Sequence, residues 1–147
     1  MTRPLIDSDN LATLINECTS DLRNGLGRRL FELSVLLESI AGCKPDSYLH
    51  VLPLSVSYFT QEILASRAMV LIPVLPPEIR EKHSSLVKVA TEQGVKALEE
   101  IKRQICDKED IDYKKLMEAT GILTRHGSKL NSERRSISPR GGGFDEE

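Results

Sequence analysis

The sequence has no tryptophan and only three tyrosines and three phenylalanines. Sugar-binding platforms and base-stacking surfaces rest on aromatic side chains, so their scarcity argues against both. The core must instead be built from Leu, Ile and Val. Cysteine is sparse as well. Cys18, Cys43 and Cys106 are widely spaced and form no C-x-x-C pair, which argues against a zinc knuckle and a thioredoxin-like motif. Free, buried thiols in a reducing compartment are the expectation.

Long apolar runs are missing too. The longest, Ala68 to Leu75, is broken by Pro73 and falls far short of the ~20 residues of a membrane span. Met1 to Asn10 contain no apolar h-region, which predicts no signal peptide. A soluble, cytoplasmic protein with no membrane partner is expected. The net charge of -2 on 147 residues means the whole molecule is not a polycation drawn to phosphate or anionic lipid. This length fits one domain, large enough to bury a core without disulfide or metal staples.

Motifs that carry catalysis are absent. There is no G-x-S-x-G elbow and no G-x-x-x-x-G-K-[ST] loop. Gly25-Leu26-Gly27 lies between two predicted helices, where a dinucleotide fingerprint would need a preceding strand. Gly141-Gly142-Gly143 has no following helix to aim its N–H groups at a phosphate. No two of His50, His83 and His126 stand four residues apart, so no helical metal pair exists. Asp107, Glu109, Asp110 and Asp112 cluster without the glycine and terminal glutamate of an EF-hand. No catalytic residue, cofactor or metal is therefore expected.

What remains is helical periodicity. After the N-cap types Asp7, Ser8 and Asp9, the apolar residues Leu11, Leu14, Ile15, Cys18 and Leu22 mark one helix face. Asn24-Gly25-Leu26-Gly27 ends or bends that helix. A second helix is expected from Arg28 to Ala41, with Leu30, Leu33, Leu37 and Ile40 forming one stripe. Val56 to Ile72 is apolar nearly all round, with Phe59, Ile63 and Val70 on one side and Leu64, Ala68 and Leu71 on another. Such a helix is central in its domain or covered by a partner chain. A strand over Met69 to Leu75 is the alternative, which Pro73 would force to a sheet edge.

The clearest repeat follows Pro76-Pro77. Ile79, His83, Leu86, Ala90, Gly94, Ala97, Ile101 and Ile105 step by three or four and predict a helix of ~28 residues. The small residues Ala90, Gly94 and Ala97 allow another helix to approach closely. Ile79, Leu86, Ala90, Gly94, Ala97 and Ile101 are thus the candidate helix–helix interface. A last helix is predicted from Tyr113 to His126, with Asp112 as N-cap, Ile111 and Leu116 as a hydrophobic staple, and Gly127 as its left-handed end.

From Ser128 onward the apolar content is too low to offset ordering entropy. The expected organisation is a helical domain over 1–127 and a flexible charged tail over 128–147. Arg125, Lys129, Arg134, Arg135 and Arg140 are its candidate contacts, followed by the acidic end Asp145, Glu146 and Glu147. The stretch from Gly94 to Lys129, with its acidic turn and Leu123-Thr-Arg-His-Gly127 ending, resembles helical hairpins in small viral DNA-packaging subunits. The fold expected is all-α, a bundle of about five helices. The function expected is that of a non-enzymatic interaction protein, an adaptor or assembly subunit, self-associating through apolar helix surface. Nucleic-acid binding through Arg125 to Arg140 is the alternative.

Overall fold

The computed structural model describes residues 8–43, 51–107 and 110–137. Among the described residues the protein is all-α, with five helices: α1 (Ser8–Arg23), α2 (Arg28–Cys43), α3 (Val51–Val70), α4 (Pro77–Cys106) and α5 (Tyr113–Ile137). Residues 69 and 70 belong to α3, and Leu71 to Leu75 are turn, bend and irregular backbone, so the alternative strand is not formed.

The α1–α2 turn follows from the glycine foreseen there. Gly25 has φ of +80°, a conformation that costs glycine nothing. Leu26 N–H donates to Asp21 O at 2.7 Å and Gly25 N–H to Leu22 O at 3.2 Å. These two bonds form a Schellman motif that satisfies carbonyls at the end of α1. Asp21 also accepts a hydrogen bond from Arg29 N at 3.2 Å, so one side chain caps the next helix. Gly27 is needed for closeness instead. A Cβ there would lie 2.6 Å from Leu64 Cδ2.

Helix α3 begins at Val51, earlier than the expected Val56. Pro53 does not prevent this, because the first-turn N–H groups have no intrahelical acceptor and its missing donor is not used there. Leu52, Val56, Phe59 and Ile63 are buried, and α3 packs against α2, α4 and α5. The helix is central, as its composition predicts.

Helix α4 carries the expected repeat. Pro77 lies in its first turn and Asp107 forms its C-cap. His83, Ala90, Gly94, Ala97 and Ile101 are buried, while Ile79 and Leu86 are half-buried. The small-residue seam is filled from within the chain: a Cβ at Gly94 would stand 2.6 Å from Phe59 Cζ. The contact that explains Gly94 is therefore α3 on α4.

Helix α5 corrects the predicted domain boundary. Its start is as read: Asp112 Oδ1 accepts from Lys114 N at 3.1 Å and Lys115 N at 3.2 Å. Leu116 and Ile111 both pack into the core. Its end is not. The helix runs through Gly127 to Ile137, so Ser128–Ile137 are not tail. Gly127 serves packing, since a Cβ there would meet the Tyr58 ring at 3.0 Å. Beyond it, Leu130 is buried and Asn131 Nδ2 donates to Tyr58 Oη at 3.5 Å. Residues 138–147, including Arg140 and the acidic end, lie outside the described residues.

Candidate functional site

Three helices meet around a polar cluster inside the bundle. Arg134 of α5 reaches α3, where Nη2 donates to Glu62 Oε1 at 2.5 Å, and Nη1 donates to Ser66 Oγ at 3.2 Å and Glu62 O at 3.4 Å. Both side chains are largely buried. A sequence reading that placed Arg134 in a solvated tail missed this pair. The signal was the spacing Leu123, Gly127, Leu130 and Arg134, which continues one helix face past the glycine.

His83 of α4 lies beside this pair and is 0% exposed. Neither ring nitrogen has a hydrogen-bond partner among the described residues. A cleft of about 270 Å³ lies alongside, lined by Ile79, Lys82, His83, Leu86, Glu133 and Ser136. Lys82 Nζ pairs with Glu133 Oε1 at 3.7 Å. Burial, then the Arg134 charge, hold the imidazole below its ordinary pKa, opposed by Glu133. His83 is therefore neutral at pH 7. The cluster is an internal fastening of α3, α4 and α5, with its one histidine unpaired.

That arrangement makes stability depend on acid. Unfolding returns His83 to a pKa of about 6.5, so the unfolded chain takes up its proton first. Stability is complete above that value and falls as pH drops below it. His126, also held low by burial and by Arg125 and Lys129, contributes in the same direction. His83→Leu is expected to raise stability by about 1 kcal/mol at pH 7, because an unsatisfied buried polar group costs ~1–3 kcal/mol. It should also flatten the decline that begins as pH falls through about 6.5, measured by urea unfolding across that range.

A second feature lies on the outside. Helix α3 contains only two charged residues, Glu62 and Arg67, and both face inward. Glu62 is held by Arg134. Arg67 Nη2 donates to Leu22 O at 2.5 Å and Thr91 Oγ1 at 3.0 Å, and Nη1 to Leu26 O at 3.0 Å. Its burial lowers its pKa, yet these acceptors keep it engaged. The solvent side of α3 is consequently uncharged: Leu54, Gln61, Ala65 and Ala68 are exposed there, on one side of the helix. Leu54 is 72% exposed, and the turn that follows adds Leu71 at 79% and Val74 at 88%. Sequence periodicity placed Ala68 and Leu71 on a second apolar side, and the structure leaves both open to solvent.

The expected interface residues of α4 are brought together, but inside the chain. Of the expected tail contacts, Arg125, Lys129 and Arg135 are exposed on α5. Arg134 is engaged by Glu62. Cys18 is buried, and its thiol is pushed up to about 12 by burial and then by Asp21, Glu17 and Glu32. Cys106 is half-buried. His50 and Glu109 lie outside the described residues, as do the side chains of Ile40 and Cys43. Among the described residues no group of three His, Cys, Asp or Glu is placed to hold a metal, and no helix is long and apolar enough to cross a membrane. No known protein family matches this chain, and no curated protein or solved structure is significantly similar to it.

Proposed function

We propose that this is a non-enzymatic helical interaction protein, a subunit that self-associates through the outer side of α3 and the α3–α4 turn. One observation carries the reading: α3 exposes no charge, because its only two charged side chains are used internally. Nearly a third of the residues in the chain are charged, at 29%, so a twenty-residue helix with an uncharged outer side stands apart. Leu54, Leu71, Ile72 and Val74 supply exposed apolar area on it and beyond its end. These residues, with Ala65 and Ala68 between them, are read as one patch, since contiguous exposed apolar surface marks interaction sites.

A second copy is the occupant this surface suits. In a two-fold dimer the same patch meets itself, residue i against residue j and j against i, so a charge near the axis would face its own copy and one elsewhere would need an opposite charge on the patch. The α3 surface carries none. The α4 seam is not available for this contact, since Phe59 already fills it.

The test is the double variant Leu54→Lys/Leu71→Lys. Both side chains are well exposed, so the fold should be retained while each copy would bring two cations to the contact. Sedimentation velocity should show an associating parent chain and a variant that remains at 16.4 kDa. Association unchanged by the double variant would exclude this surface.

A further inference from the structure

We infer that the solvent side of α5 is an electrostatic docking surface for the phosphates of a nucleic-acid duplex, recognised without regard to sequence. Lys114, Lys115, Arg125, Lys129 and Arg135 are all exposed on this helix. None has an ion partner among the described residues. Arg28 of α2 and Lys88 and Lys96 of α4 are likewise exposed outside any ion pair there, but only α5 carries five such cations on one helix. Glu118 is the single acid exposed among them. The chain as a whole is weakly acidic, so this positive side is local.

The geometry favours a rigid polyanion. The steps from Lys114 to Arg135 span ~32 Å at 1.5 Å per residue, close to one turn of B-form DNA at ~34–36 Å. An α-helix holds that span fixed, where a flexible tail would not. Tyr113, exposed beside Lys114 at the start of the helix, is the one Phe, Tyr or Trp of α5. None lies between Lys114 and Arg135, so the array lacks the aromatics interleaved with cations that single-strand stacking uses. On the same helix Arg125 and Lys129 flank His126, and after burial their charges hold it below its ordinary pKa. This surface differs from the tail anticipated from sequence. It gains Lys114 and Lys115, loses Arg134 to Glu62, and does not require Arg140.

The experiment is fluorescence anisotropy of a labelled DNA duplex of about two helical turns and arbitrary sequence, titrated with the full chain. At ~0.9 counterion per phosphate, five contacts predict a log–log salt slope of about -4 to -5 and micromolar affinity near 50 mM salt. Arg125→Ser/Lys129→Ser should weaken binding on the order of 100-fold at that salt and reduce the slope by about 2. Glu118→Lys should strengthen binding about tenfold, a gain that misfolding cannot produce. No binding at about 50 mM salt, an unchanged affinity in both variants, tighter binding to a single strand of equal length, or equal competition by polyglutamate would each overturn the inference.

Discussion

Replacing Arg134 with methionine is expected to destabilise the folded chain by about 3–5 kcal/mol, the cost of leaving a buried charge without its partner. The Glu62 carboxylate sits at 2.5 Å from Arg134 Nη2, and no other cation is paired with it among the described residues. Removing the guanidinium also frees Ser66 Oγ and Glu62 O from a donor each. The effect must therefore exceed that of an exposed pair such as Arg23–Glu99, which is worth at most ~1 kcal/mol. The double variant Glu62→Leu/Arg134→Met should recover most of the loss, because apolar groups of similar volume need no partner. Urea unfolding of the two single variants and the double variant measures the coupling directly. Additive losses would mean that the two side chains do not act as a pair.

The second large effect concerns Phe59. Its ring is fully buried and packs on the backbone of α4 at Gly94. Phe59→Ala should cost about 3–5 kcal/mol through lost burial and the cavity it leaves. Gly94→Ala alone should cost ~1–3 kcal/mol, since the added methyl meets the ring in a filled core. In the Phe59→Ala background the sign reverses. The obstruction is gone, and Ala is the better helix former by ~1 kcal/mol. Thermal or urea unfolding of all four combinations tests this. A Gly94→Ala penalty that survives Phe59→Ala would show that Gly94 is needed for something other than the ring.

These two contacts also show what the sequence could reveal and what it could not. Helix α4 was legible because its apolar residues repeat over its whole length, and Asp112 because a capping side chain acts within three residues. Gly25 and Gly127 look alike in sequence, each following a helical pattern. Gly25 ends its helix with φ of +80°. Gly127 continues its helix, because the neighbour that decides is Tyr58 of α3. The same reasoning covers Arg134, whose partner Glu62 is 72 residues away. A cation in a polar stretch reads as solvated until a distant helix supplies its carboxylate. The composition of α3 indicated a central helix, but not which side would remain open. That depended on how α2 and α5 flank it, which no local pattern records.

The open side of α3 carries the proposed function, and self-association is its most direct consequence. The measurement is the mass of the unmodified chain by light scattering over a concentration series. Contact through α3 predicts a rise from 16.4 kDa toward twice that value as concentration increases. A mass that stays at 16.4 kDa at the highest concentration reached would contradict self-association through α3.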